Sequence, residues 1–354
     1  MNNDTAPLTV FITSPLEPEH VERIRAVAPG RVEVVYEPDL LPPTRYVADH
    51  KGREDFRRTP EQEARWRANL KRADALWDFP VPPEDGTPVA ELLPRLKWVQ
   101  TTSSGVGQLV TRLGLQDSDI LVTTASGIHC EPLTEYVFMA LLVHLKDLDR
   151  LRREQVAHRW ERYCGEELAG KTLGILGAGR VGRAVAAAAR FFDMRVIATD
   201  VQFTDSQSAD PALDRQLPVE QLHTMLSEAD VLVLCVPHTP ETERMIDAAA
   251  FAAMKDGVVL VNIARGQVVD ENELIAALRS GKVGFAALDV FETEPLPIDS
   301  PLWDMPNVLV TPHSASTVPS ENRKITDFFC HNLRCFLEAR TGDMRNVLDK
   351  EKMF

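Results

Sequence analysis

Short apolar runs separated by amphipathic stretches set the rhythm of this chain. Leu8–Ile12, Val32–Val35, Ala75–Trp77, Trp98–Gln100 and Ile120–Val122 predict strands, and Glu17–Val27 and Glu61–Lys71 between them carry helical spacing. That alternation predicts a parallel sheet with helices on both faces. A long helix over Glu131–Arg152, with Val137, Leu141, Leu142, Leu145 and Leu148, leads to a more regular second half. There the predicted strands are Thr172–Leu176, Arg195–Thr199, Val231–Cys235, Gly257–Ile263, Gly284–Leu288 and Val308–Val310. The predicted helices are Val181–Phe192, Val219–Leu226, Glu241–Met254 and Glu271–Ser280. About forty residues follow His313, including an amphipathic helix near Arg323–Glu338. They are too few for a third domain and are expected to complete the first one. The expected fold is α/β in two domains, one formed by residues 1–124 with 317–354 and the other by 125–316.

One stretch breaks the rhythm. From Glu37 to Thr59 the chain is polar and contains Pro42 and Pro43, then Thr59-Pro60-Glu61-Gln62 combines an N-cap, a first-turn proline and a capping-box glutamine. Arg45 to Arg72 holds nine Lys/Arg against five Asp/Glu. Two readings stay open, a solvated helix face or a mobile flap that attracts an acidic substrate.

The whole chain has a formal charge of −14, which argues against nucleic-acid or anionic-membrane partners that need clustered cations. Its 354 residues, 44% hydrophobic and 26% charged, suit two globular domains. Cys130, Cys164, Cys235, Cys330 and Cys335 are scattered with no C-x-x-C pair, so neither a disulfide framework nor a metal site is expected. Met1 to Leu16 lacks the pattern of a signal peptide, and no apolar run spans a bilayer. Cytoplasmic residence is the expectation.

Lys171-Thr-Leu-Gly-Ile-Leu-Gly177-Ala-Gly179-Arg-Val-Gly182 is an apolar strand entering G-x-G-x-x-G and then an alanine-rich helix. Gly177 permits the tight turn, Gly179 lets backbone approach a pyrophosphate, and Gly182 allows helix and strand to pack closely. The helix N-terminus adds free N–H groups and a favourable dipole. Asp200 ends the next strand, eighteen residues past Gly182. A carboxylate there accepts from the adenosine ribose and repels a 2′-phosphate, and Val201-Gln202-Phe203 offers no arginine to recruit one. The expected cofactor is NAD.

The later strands each end in a polar residue. Their ends are Val236-Pro237-His238, Ile263-Ala264-Arg265, Asp289 with Glu294 five residues on, and His313-Ser314-Ala315-Ser316. In an open parallel sheet these ends share the ligand-binding edge. Val236, Pro237, Ile263 and Ala264 are therefore candidate cofactor contacts. An arginine there can hold a carboxylate bidentately, and a histidine can protonate a carbonyl oxygen as hydride reaches carbon. A glutamate beside the histidine fixes its tautomer and favours its protonated form. Taken singly, each residue has a structural reading as a strand cap, a turn former or a satisfied loop histidine; together they point to carbonyl reduction.

The segments L-G-I-L-G-A-G-R-V-G, V-N-I-A-R-G-Q-V-V-D-E-N-E-L, A-L-D-V-F-E-T-E-P-L-P and T-P-H-S-A-S resemble, in order and spacing, the D-isomer-specific 2-hydroxyacid dehydrogenase family. The resemblance implies a central Rossmann dinucleotide-binding domain and a discontinuous flavodoxin-like substrate domain with a cleft between them. It makes Arg265 the substrate arginine, Glu294 the carboxylate of the acid–base pair and His313 the proton donor. Arg180, Val181, Asp200, Thr242, Asp289 and Ser316 fall at cofactor-contacting positions, and Thr134 lies near another. Thr101-Thr-Ser-Ser-Gly-Val-Gly107 is similar to the loop whose backbone N–H groups hold the substrate carboxylate, with Ser104 and Gly105 as candidates. Many relatives carry Asp where Gly107 stands. The resemblance also implies a small 2-oxo/2-hydroxy acid substrate and a homodimer built around the long linking helix. Two rivals share the fold. A corepressor-like scaffold of the C-terminal-binding-protein type binds NAD without needing turnover, although no long disordered tail for partners is evident. A formate dehydrogenase-like enzyme is expected to carry Gln where Glu294 stands.

Overall fold

A computed structural model describes residues 6–81, 87–204 and 210–351. The chain divides into two compact units, Met1–Ile128 with Thr317–Phe354, and His129–Ser316.

The first unit holds a parallel sheet of β1 (Leu8–Ile12), β2 (Val32–Val35), β3 (Ala75–Trp77), β4 (Trp98–Gln100) and β5 (Leu121–Thr123), in the order β2-β1-β3-β4-β5. This is the flavodoxin-like order. The helix Glu321–Leu337 belongs to the same unit: Phe329, fully buried, lies with its ring 4.8 Å from that of Trp98. Burying large side chains such as Phe329 and Trp98 stabilises by about 1.5–3 kcal/mol each, so the end of the chain is held firmly to its beginning.

The predicted capping box is present. Thr59 Oγ1 accepts from the Gln62 amide, and the Gln62 side chain accepts from the Thr59 amide, at the start of helix Pro60–Arg72. The preceding loop is stapled by Asp49. Its nearly inaccessible carboxylate accepts from the amides of Arg45, Lys51 and Gly52 and from the Arg45 guanidinium at 2.8–3.1 Å. The local excess of arginine is largely paired: Arg53 with Asp55, Arg58 and Arg67 with Glu63, Arg65 with Glu37 and Asp39, and Arg72 with Glu33.

The second unit holds seven parallel strands: β6 (Thr172–Leu176), β7 (Arg195–Thr199), β8 (Arg215–Leu217), β9 (Val231–Leu234), β10 (Val258–Asn262), β11 (Val283–Leu288) and β12 (Val308–Val310). Their order is β12-β11-β10-β9-β6-β7-β8, a Rossmann sheet extended by one strand. Strand order reverses between β6 and β9, where such sheets bind ligands.

Two predicted helices are corrected. The span Glu131–Arg152 is not continuous: helices Cys130–Leu145 and Leu148–Val156 are separated by Asp147 in the left-handed region at φ 47°. Of Glu241–Met254 only Ala248–Ala253 is helical. Arg244 takes φ 48°, and the amides of Arg244 and Ile246 donate to the carbonyls of Gln267 and Val268, so a tertiary bridge wins over local propensity. The short edge strand β8 was not predicted. Among the described residues no helix is long and apolar enough to cross a membrane.

Candidate active site

β6 runs into Gly177-Ala178-Gly179, where the three glycines of the motif meet different constraints. Gly177 has φ +97°, and a Cβ there would stand 2.9 Å from the backbone of Cys235 and Val236. A Cβ on Gly182 would lie 2.1 Å from the Gly177 carbonyl oxygen. Gly179 faces open space, with nothing within 4 Å of an added Cβ, and helix Arg180–Phe191 starts directly after it. The first turn of that helix offers N–H groups to an anion. The Asp200 carboxylate is turned onto the same loop, Oδ2 accepting from the Ala178 amide at 2.8 Å and Oδ1 from the Gln202 amide at 2.9 Å. An open glycine, a helix N-terminus and a carboxylate with lone pairs to spare, all at the switch point, fit a dinucleotide.

The neighbouring strand ends shape the same edge. After β9 the Thr242 hydroxyl donates to the Pro237 carbonyl and accepts from the Thr239 amide, both at 2.8 Å, closing the turn. Val236 is half-buried and Pro237 exposed, whereas Ile263 and Ala264 are buried. Thr134 donates to the Cys130 carbonyl within its own helix. Ser316 is half-buried at the boundary of the unit.

β10 ends at Asn262, whose side chain accepts from the Ala264 amide and donates to the Arg265 carbonyl. The Arg265 side chain that emerges from this turn is largely withdrawn from water. Burial pulls its pKa below the usual arginine value, and the charge of Glu294 opposes that pull. Gly266 sits hard against the next loop, where a Cβ would lie 1.9 Å from the carbonyl carbon and oxygen of Phe291. Gln267 Nε2 donates to the Glu292 carbonyl at 3.0 Å, and Glu271 accepts from the Glu292 amide at 3.2 Å. The loop carrying Glu294 is thus clamped to the turn carrying Arg265.

Glu294 divides its two oxygens. Oε1 accepts from the Phe291 amide at 3.1 Å, and Oε2 lies 2.7 Å from His313 Nδ1. Burial alone would raise the pKa of Glu294. Its hydrogen bonds to His313 and Phe291 and the charge of Arg265 outweigh burial and hold it below the ordinary glutamate value. An ionised Glu294 keeps a proton on Nδ1 and leaves Nε2 as the ring's other proton site. Arg265, Phe291, Glu292, Glu294 and His313 border an open cavity of about 450 Å³. An arginine able to hold a carboxylate and a histidine able to pass a proton therefore face the same space, an arrangement suited to carbonyl reduction.

A smaller cavity of about 210 Å³ opens at the amino-terminal edge of the same sheet, beside His144, Lys171 and Lys255. Both lysines there are paired, with Glu166 and Asp230. Burial pulls the pKa of His144 down, and its ring stacks on Phe285. Among the described residues no group of three or more His, Cys, Asp or Glu is arranged to hold a metal ion.

Residues 138–315 match the model of a family described as D-isomer specific 2-hydroxyacid dehydrogenase, NAD binding domain. A glyoxylate reductase of Korarchaeum cryptofilum is 34% identical over 275 residues, 75% of this chain and 80% of that one. The chain belongs to the D-isomer-specific 2-hydroxyacid dehydrogenases. A D-3-phosphoglycerate dehydrogenase of Mycobacterium leprae is 38% identical over 228 residues, 61% of this chain. The match spans only 42% of that longer relative. Among solved structures, a family protein from Aeromonas salmonicida aligns with a TM-score of 0.77 at 27% identity, over 97% of this chain and 99% of that one. Another from Xanthobacter autotrophicus, solved with NADPH and MES, aligns with a TM-score of 0.75 at 28% identity, over 99% and 100%.

Within this 2-hydroxyacid dehydrogenase the structure brings Arg265, Glu294 and His313 to one cavity. Ser104 and Gly105 lie in the other unit, past β4 and just before helix Gly107–Arg112. Sequence reasoning missed Gly266 and Gln267, which fasten the turn carrying Arg265 to the loop carrying Glu294, and Tyr136, whose hydroxyl reaches Thr311. The glycine was visible in the A-R-G-Q string, but its contact with Phe291 is tertiary.

Proposed function

We propose that this chain is an NAD-dependent dehydrogenase interconverting small 2-oxo acids and D-2-hydroxy acids. The observation that carries the reading is the 2.7 Å contact between His313 and an ionised Glu294, bordering the same cavity as a desolvated Arg265. The Gly177–Gly182 turn and Asp200 would hold the dinucleotide, which would supply the hydride for reduction as NADH and accept it in oxidation as NAD⁺. Arg265 binds the substrate carboxylate bidentately and polarises the adjacent carbonyl. As hydride reaches the carbonyl carbon, His313 gives the proton on Nε2 to the carbonyl oxygen, and oxidation returns it. Glu294 stabilises the imidazolium before transfer and holds the ring afterwards. The backbone N–H groups at Ser104 and Gly105 are proposed as further carboxylate donors.

Asp200 on the glycine loop supports NAD over NADP. Relatives named glyoxylate reductase, glyoxylate/hydroxypyruvate reductase and (S)-sulfolactate dehydrogenase support a short 2-oxo acid. A homodimer is supported by helix Leu148–Val156, which buries no residue, and by Val156 and Trp160 at 84% and 97% exposure. Five free cysteines suit a cytoplasmic setting.

The test is NADH oxidation by the purified full chain with glyoxylate, hydroxypyruvate and pyruvate, with the product's chirality read out and light scattering giving the oligomeric state. Tight NADH binding without turnover on any 2-oxo acid would replace this reading by the scaffold one.

A further inference from the structure

Residue 313 occupies an uncommon backbone state, with φ +49° at a non-glycine position. Something must hold it there. Its own amide donates to the Thr311 carbonyl at 3.1 Å, and the next two amides, of Ser314 and Ala315, donate to the Asp289 carboxylate at 3.0–3.1 Å. Asp289 is 3% exposed and takes one more donor, the Thr311 hydroxyl at 2.7 Å. Both flanks of His313 are therefore tied to one buried carboxylate.

Thr311 has a single hydroxyl proton, and Asp289 is surrounded by donors, so that proton points to Asp289. The Thr311 oxygen must then accept from its other partner, the Tyr136 hydroxyl at 2.9 Å. Tyr136 comes from helix Cys130–Leu145 and is 6% exposed. Burial pushes its pKa up to about 12, so it remains a donor throughout the working range. A phenylalanine would fill the same space without a hydroxyl to desolvate. The hydroxyl polarises Thr311 and strengthens its grip on Asp289. Without it the Thr311 proton is less committed, because the Leu288 carbonyl lies 3.4 Å away as a second acceptor.

We infer that Tyr136 is a positioning residue for His313, acting through the Thr311 hydroxyl and the Asp289 carboxylate. The inference rests on the reading of His313 as proton donor, and its test separates the two. Tyr136→Phe in the full chain is expected to lower kcat about three- to tenfold, the range of one lost hydrogen bond. The NADH Kd from fluorescence titration and the Tm should stay near wild type. Thr311→Val should lose at least as much, Thr311→Ser should recover most of that loss, and Tyr136→Phe should add little on top of Thr311→Val.

An activity-independent reading comes from the imidazole 15N resonances of His313, assigned by their absence in His313→Gln. They should shift or broaden in Tyr136→Phe. If that shift appears while His313→Gln keeps full turnover, the positioning stands and the proton-donor reading falls. Unchanged His313 resonances with unchanged kcat in Tyr136→Phe, or additive losses in the double variant, would overturn the inference.

Discussion

Nδ1 of His313 and Oε2 of Glu294 are 2.7 Å apart, while the other oxygen of that glutamate holds the amide of Phe291. One side chain thus joins a ring to a loop, and substitution can remove its charge while leaving much of its hydrogen bonding.

Glu294→Gln should expose that charge in the pH profile. Reduction needs the imidazolium, which the carboxylate stabilises, so its falling limb should move to lower pH in the variant. Oxidation needs the neutral ring, so its rising limb should move the same way. In the wild type the depressed pKa of Glu294 keeps its carboxylate ionised through the ordinary glutamate range and below it. The carboxylate's own contribution to stability is complete above the unfolded glutamate range and is lost as pH falls through that depressed value. Profiles of kcat/KM in both directions decide the matter, read as those of a coupled pair. His313→Ala should cost about 10²–10⁴ in rate, and limbs that stay put in Glu294→Gln would leave the histidine without its partner.

Arg265→Ala should destroy productive substrate binding and spare the cofactor. A desolvated charge pair with a carboxylate is worth about 2–5 kcal/mol, so kcat/KM should fall by a factor of about thirty or more while NADH still quenches normally. Lysine should rescue poorly, since it lacks the bidentate fork. Near-normal kcat/KM in Arg265→Ala would assign the carboxylate to another group.

Asp200→Ala should narrow the proposed preference for NADH over NADPH by removing a carboxylate that would repel a 2′-phosphate. It also frees the amides of Ala178 and Gln202, so some loss with NADH itself is expected. The ratio of kcat/KM for the two cofactors is the measurement, and equal ratios in wild type would show that the carboxylate does not read the ribose.

Asp49→Ala should loosen the loop ahead of helix Pro60–Arg72. The carboxylate collects the Arg45 guanidinium and three amides, and those bonds hold its pKa far below the usual range despite burial that opposes them. Stability from this group is complete above the unfolded aspartate range and vanishes as pH falls through the depressed value. Hydrogen exchange at residues 45–53 should accelerate in the variant at neutral pH, and at acid pH in the wild type. Equal exchange in both proteins would mean that other contacts close the loop.

Strands were legible because apolar runs such as Leu8–Ile12 and Thr172–Leu176 need no partner to be read. Arg265, Glu294 and His313 were legible because each stands at or just past a strand end, and parallel topology gathers those ends. What escaped is tertiary. The left-handed turns at Asp147 and Arg244 leave no mark in composition. The polar strand Arg215–Leu217 pairs only along one edge, with β7. The Tyr136 hydroxyl meets Thr311 across 175 residues of chain, a pairing that no local pattern signals.

Gly266 has a consequence for how this enzyme can diverge. Any side chain there would drive into the Phe291 peptide and part the arginine from the glutamate. Overpacking of this kind costs about 1–3 kcal/mol or more, and here the displacement would fall on the groups proposed to handle the substrate. New substrate preferences are therefore open to change at a neighbour that borders the cavity, such as Thr293, while the glycine between arginine and glutamine admits no drift. A library randomised at 266 and 293 would return variety at the second position and a single letter at the first.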